Sequence, residues 1–147
     1  RRKIRITFVL NNLAFLVSHR LDLFLRLIEL GYQVTVITGR SENLEAESFA
    51  ENKLKDIKYM HKKAIFKGSS KNLITETFGF IQVLFFMFFS RPNIIHCISP
   101  KGILYGGLSS YIANPSRIVV AVSGLGSSYS EVSTNSYDSI LISSYEQ

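Results

Sequence analysis

The chain opens on an alternation that becomes fully apolar, IRITFVL at residues 4–10, the pattern of a strand buried on both faces. Helical periodicity follows. Leu21, Phe24, Leu25 and Ile28 recur at i, i+3, i+4 and i+7, with Asp22, Arg26 and Glu29 on the opposite face. This predicts a helix over about residues 19–30 with Ser18 as its N-cap. Gly31 stands where a left-handed C-terminal cap belongs. YQVTVIT (32–38) is a second, β-branched strand and completes a βαβ unit. SENLEAESFAENKL (41–54) reads as a polar helix whose early acids suit the helix dipole. DIKYMHK (56–62) reads as a short edge strand, a place where lysine is common.

Residues 72–90 predict a second strong helix ending in FGFIQVLFFMFF. Its wholly apolar core, Val83 to Phe89, falls far short of the roughly 20 residues that span a bilayer. Most of its aromatics are expected to pack against the sheet, with some left at the surface. NIIHCIS (93–99) is a short apolar strand, and KGILYGGLSSYIA (101–113) is a small-residue helix able to pack closely. SRIVVAVS (116–123) reads as another buried strand. Strands alternating with helices imply an α/β fold, a Rossmann-like, doubly wound parallel sheet flanked by helices. The expected domain covers residues 1–127, and the Ser-rich stretch 128–147 departs from it.

Composition refines this picture. The 147 residues are 46% hydrophobic and 19% charged, with a formal net charge of +6, which fits one globular domain with an anionic partner. Lys53, Lys55, Lys58, Lys62, Lys63, Lys67 and Lys71 crowd one stretch in which Asp56 is the only acid. Beside an apolar helix, such a stretch suits an anionic membrane surface. It carries no recognition helix or RNA-binding aromatic motif, so nucleic acid is not expected as a partner. The single cysteine, Cys97, precludes an internal disulfide.

In a parallel sheet, ligands bind at the carboxyl ends of the strands, near the point where strand order reverses. The candidate segments are therefore Asn11 to His19, Thr38 to Arg40, Cys97 to Lys101 and Ser123 to Ser128. Neither G-x-x-x-x-G-K-[ST] nor G-x-G-x-x-G occurs, and GLGSS (124–128) follows a late strand. His19 beside Arg20 suits an anion or sugar hydroxyl, the ordinary alternative being a capping or solvated histidine. His96 is either a pocket residue or a hydrogen-bonded core histidine. His19, His61, His96 and Cys97 lack metal-ligand spacing, so no metal is expected. No G-x-S-x-G elbow is present, and Cys97 reads as a buried strand residue.

Four segments together resemble a known family: FLVSHR, GYQVTVIT, RPNIIHCISPKGILYGGL and VVAVSGLG, in that order. Over residues 3 to about 127 the chain resembles the amino-terminal, acceptor-side domain of bacterial GT-B glycosyltransferases of retaining family four. The subgroup it looks most like builds capsule, O-antigen or other lipid-linked glycans. The resemblance implies that His19 and His96 are catalytic, and that Asn11, Asn12, Ser18, Ser99, Lys101, Ser123, Gly124 and Gly126 bind donor or acceptor. It implies a nucleotide-sugar donor, a UDP-sugar, as substrate with no separate cofactor, and a lipid-linked or polysaccharide acceptor. It further implies a peripheral position on the cytoplasmic face of the bacterial plasma membrane, through Lys62, Lys63, Lys67, Phe85 and Phe86.

The family's second domain carries a paired-glutamate E-x₇-E motif, and no such motif occurs in these residues. Turnover is therefore expected to need a second GT-B domain or partner subunit to stabilise the leaving diphosphate. The alternative expectation is a non-catalytic membrane-anchoring subunit that docks a catalytic partner.

Overall fold

The β-branched runs of the sequence become five strands in a computed structural model that describes residues 3–69 and 72–122. In chain order the elements are β1 (Arg5–Leu10), α1 (Leu13–His19), α2 (Leu21–Glu29), β2 (Gln33–Arg40), α3 (Leu44–Leu54) and β3 (Met60–Lys67). Then follow α4 (Leu73–Ser90), β4 (Ile94–Ile98), α5 (Pro100–Ala113) and β5 (Arg117–Ala121). The strands form one all-parallel sheet in the order β3-β2-β1-β4-β5. This is the Rossmann-like architecture the sequence predicts. Strand order reverses between β1 and β4, so the loops after these two strands flank the crevice where such sheets hold ligands.

Side chains alternate across the sheet and divide the core in two. Phe8, Leu10, Val36 and Ile98 pack with Leu13, Leu16, Phe24 and Leu54 beneath α1–α3. Val9, Ile37, Phe66 and Cys97 pack with Val83, Met87 and Tyr105 beneath α4 and α5. Two glycines let α5 lie close. A methyl at Gly106 would sit 2.5 Å from Cys97 Sγ, and one at Gly102 would collide with the Val9 carbonyl.

Three local expectations need correction. The helix predicted over 19–30 forms as α2, but a separate helix, α1, that the sequence pattern does not predict precedes it, and Arg20 between the two leaves the helical region (φ −138°, ψ 12°). Asn12 caps α1, accepting from the Phe15 N–H at 2.8 Å. Ser18 is not a cap: its hydroxyl donates back to the Ala14 carbonyl at 2.9 Å, the bond by which a helical serine satisfies itself within its own turn.

The second correction concerns α4. The residues it buries are Gly79, Val83 and Met87, at a spacing of four. That stripe is narrow because Gly79 packs against Phe66, whose Cβ would lie 2.7 Å from an added methyl. Phe78, Phe85, Phe88 and Phe89 are left exposed, and Phe80 and Phe86 are half-buried. With 18 residues and a mean hydropathy of 1.7, α4 is long and apolar enough to cross a membrane by length and composition alone. The third correction is β5, expected to be buried. Among the described residues it is an edge strand, with Ile118, Val119 and Val120 each more than 40% exposed.

Candidate functional site

The turn after β1 is built from side chains where many nucleotide-binding folds use glycine. The Asn11 carbonyl accepts the Gly39 N–H at 3.0 Å, tying the end of β1 to β2. Its amide oxygen accepts the Ser99 hydroxyl at 2.9 Å, joining the ends of β1 and β4 across the point of reversal. Ser99 also caps α5, its hydroxyl oxygen 3.4 Å from the Gly102 N–H. It holds φ at 71°, a conformation that costs a non-glycine residue of order 1–3 kcal/mol and that concentrates at ligand sites.

The amino end of α1 is already filled. Glu47, reaching over from α3 and 3% exposed, accepts the Leu13 N–H at 3.3 Å and the Ala14 N–H at 3.1 Å. Helix N-termini attract anions because their first N–H groups lack intrahelical acceptors. Here a protein carboxylate occupies the position that a pyrophosphate takes in dinucleotide-binding folds. A ligand phosphate would have to displace it. Lys63 sits 3.9 Å from Glu47 and 3.6 Å from Glu51, so this lysine of the basic stretch is partly neutralised.

On the other side of the crevice, Lys101 at the start of α5 donates to the Lys67 carbonyl at 2.5 Å and pairs with Glu76 at 2.8 Å. The Tyr105 hydroxyl donates to the same carboxylate. Burial, then the Glu76 hydrogen bond and charge, push the Tyr105 phenol well above its ordinary value. The Glu76 Oε1 atom is buried with no hydrogen-bond partner among the described residues. Neither Glu47 nor Glu76 was singled out by the sequence. Both lie on helices and reach the rim only through the fold.

His96 lies inside β4 with its ring stacked on Phe8 at 5.0 Å. Its Nε2 is buried without a hydrogen-bond partner among the described residues. Burial, assisted by the Arg20 charge, holds the imidazole below its ordinary 6.5, so it is neutral at pH 7. His19 ends α1 instead of opening a helix. It is exposed, stacked on Phe15 at 4.2 Å, with Nδ1 2.6 Å from the Ser18 hydroxyl. Ser18 borders a shallow depression between α1 and α3, shared with Asn43 and Phe49. The structure thus brings Asn11 and Ser99 into direct contact and sets Asn12 beside them as a cap. No hydrogen bond, ion pair or ring contact among the described residues joins His19 to His96.

Cys97 is fully buried against α5, and desolvation pushes its thiol up to about 12. Among the described residues no cluster of histidine, cysteine and carboxylate could hold a metal ion. Lys62 and Lys67 are exposed, near the amino and carboxyl ends of β3 respectively. Ser123, Gly124 and Gly126, like residues 128–147, lie outside the described residues.

Fold and site together define a Rossmann-like α/β domain whose polar side chains meet at its topological switch point. No protein-family profile matches the chain, and no curated protein is significantly similar to it. The functional reading therefore rests on the geometry and on the sequence motifs.

Proposed function

We propose that this chain is the acceptor-side half of a nucleotide-sugar-dependent glycosyltransferase acting on a lipid-linked or polysaccharide acceptor. The observation that carries the reading is the Asn11–Ser99 hydrogen bond across the switch point, beside a helix N-terminus that Glu47 already fills. Such a crevice offers amide, hydroxyl and imidazole groups suited to sugar hydroxyls, and no free cradle for a dinucleotide. The reading agrees with the four motifs that resemble retaining GT-B enzymes of family four.

In this reading Asn11 and Ser99 hold hydroxyls of the sugar or acceptor, and neutral His96 offers Nε2 as a hydrogen-bonding group. Asn12 and Ser18 shape the wall, while His19 at the surface meets the donor's diphosphate. Lys101, held by Glu76, adds positive charge to the rim. The main grip on the nucleotide, a UDP-sugar, belongs to a second domain or partner subunit. The resemblance also assigns donor or acceptor binding to Ser123, Gly124 and Gly126, which lie outside the described residues.

The exposed aromatics of α4 with Lys62 and Lys67 support a peripheral position on an anionic membrane, the inner face of a bacterial plasma membrane, where lipid-linked acceptors reside. Lys63, expected on that surface, instead pairs with Glu47 and Glu51 of α3 on the other face of the sheet, and Phe86 is half-buried. A second reading is a non-catalytic subunit that anchors a catalytic partner. The apolar edge that β5 exposes among the described residues favours it.

Nucleotide release separates the two. The chain is co-expressed with the coding sequence downstream of it, and UDP release is measured with host lipids as acceptor. Asn11→Ala combined with Ser99→Ala abolishes release if the crevice binds substrate. Release unaffected by this pair, with anchoring retained, supports the non-catalytic subunit instead.

A further inference from the structure

At the amino ends of the strands, on the side of the sheet away from the crevice loops, lies a second concavity. A cleft of about 410 Å³ opens between the beginnings of β1–β3 and the last two turns of α4. Its volume falls in the range of roughly 300–1,000 Å³ typical of small-molecule sites. The floor presents Arg5, Gln33, Thr35 and Lys62, and the wall is Phe85, Phe86 and Phe89. The strand registers explain the grouping. Arg5 lies opposite Gln33, Thr7 opposite Thr35, and Ile37 opposite Lys62. Alternation then turns Arg5, Gln33, Thr35 and Lys62 all toward α4.

Three observations give the cleft its chemistry. First, neither Arg5 nor Lys62 has an ion-pair partner among the described residues, whereas Lys63 and Lys101 are held by glutamates. Second, Gln33 and Thr35 add polar groups to the same floor. Third, Phe85 and Phe89 are 59% and 66% exposed while packing on each other with ring centroids 4.4 Å apart. Two uncompensated cations at one end and an aromatic wall at the other complement a molecule with an anionic head and a hydrocarbon tail.

We propose that this cleft binds a single-chain anionic amphiphile, with its carboxylate or phosphate head against Arg5 and Lys62 and its chain along Phe85, Phe86 and Phe89. The proposal does not rest on the glycosyl-transfer crevice, which lies at the opposite end of the sheet, although it draws on Lys62 and α4 aromatics read above as membrane-facing.

The test is calorimetric titration with dodecyl phosphate kept below its critical micelle concentration. Inorganic phosphate and dodecyltrimethylammonium serve as ligand controls. Lys62→Glu weakens dodecyl phosphate binding at least tenfold, and Phe89→Ser, on an exposed side chain that leaves the fold intact by circular dichroism, does likewise. Lys53→Glu, the same charge change on α3, stays within twofold of wild type. Raising salt weakens binding, as expected of an exposed charged head.

Absence of dodecyl phosphate binding overturns the proposal, as does equal binding of the cationic amphiphile or equal effects of the Lys62 and Lys53 variants. Binding to phosphatidylglycerol vesicles without binding of the monomer assigns the surface to a bilayer and overturns the cleft site. Wild-type UDP release in the Asn11/Ser99 variant, which overturns the glycosyl-transfer reading, leaves this result untouched, so the two proposals fail separately.

Discussion

Replacing Glu47 by Gln tests whether the amino end of α1 is held by a protein carboxylate. Glu47 is buried and accepts two backbone N–H groups, at 3.3 and 3.1 Å. Hydrogen bonds to a charged acceptor are each worth about 1.5–3 kcal/mol. Glutamine is nearly isosteric but keeps only one acceptor oxygen, so its NH₂ faces one of the two donors and leaves it unsatisfied. One charged bond is lost and the other becomes neutral, a cost of about 2 kcal/mol. The Lys63 pair adds little, because that lysine is 44% exposed and exposed pairs contribute below about 1 kcal/mol. For a chain of this size each kcal/mol moves Tm by roughly 4 °C, so Glu47→Gln lowers Tm by about 8 °C. Thermal unfolding followed by far-ultraviolet circular dichroism measures the shift. Glu51→Gln, which loses only an exposed pair with Lys63, stays within about 2 °C of wild type. Equal melting of the two variants would refute the assignment of Glu47 as the anchor of this turn.

Two more predictions follow from buried groups. His61 is lowered by burial and by Lys63, against the opposing charges of Glu47 and Glu51, and His96 is lowered by burial and by Arg20. Both therefore sit below their unfolded value of 6.5, and the unfolded chain binds the protons that the native state refuses. Their contribution is fully present above pH 6.5 and is lost as pH falls through the folded-state values. Urea midpoints should fall on acidification below 6.5, and His96→Gln should flatten that slope; a slope as steep in the variant counts against a neutral buried His96. At Gly106, a leucine side chain meets Cys97 Sγ and Val9 and costs about 2 kcal/mol by overpacking. Urea unfolding at wild-type midpoint would show that α5 does not lie as close to β4 as described.

How far the sequence revealed this structure depends on the distance over which each feature is determined. β1, β2 and β4 are legible because their β-branched and apolar runs carry the signal locally, and Gly31 takes the expected positive φ of 82°. The break at Arg20 is invisible to periodicity, since apolar residues continue on both sides of it and a cap at Asn12 competes with Ser18. In α4 nearly every position is apolar, so no pattern says which face is buried. That is decided by Gly79, where the lack of a side chain lets Phe66 approach.

The candidate site divides in the same way. Asn11, Ser99 and Lys101 are found by asking which residues follow strands. Glu47 and Glu76 are not, because their partners lie 34 and 29 residues away and both sit on helices with ordinary surface-like sequences. A polar residue opposite the first strand's turn, four residues into a helix with little amphipathic pattern, is the one signal that could have pointed to Glu47. The exposure of β5 depends on what lies beyond it, which no local pattern records.

The central claim is that the crevice between β1 and β4 holds the substrates of glycosyl transfer. It is tested most directly by UDP release from a UDP-sugar, measured for this chain co-expressed with its downstream coding sequence, with host lipid-linked glycan as acceptor. Release that depends on acceptor, and that the Asn11→Ala, Ser99→Ala pair abolishes while the protein stays folded, is the predicted result. Release at the wild-type rate in that pair, or none from any UDP-hexose or UDP-N-acetylhexosamine, would contradict it.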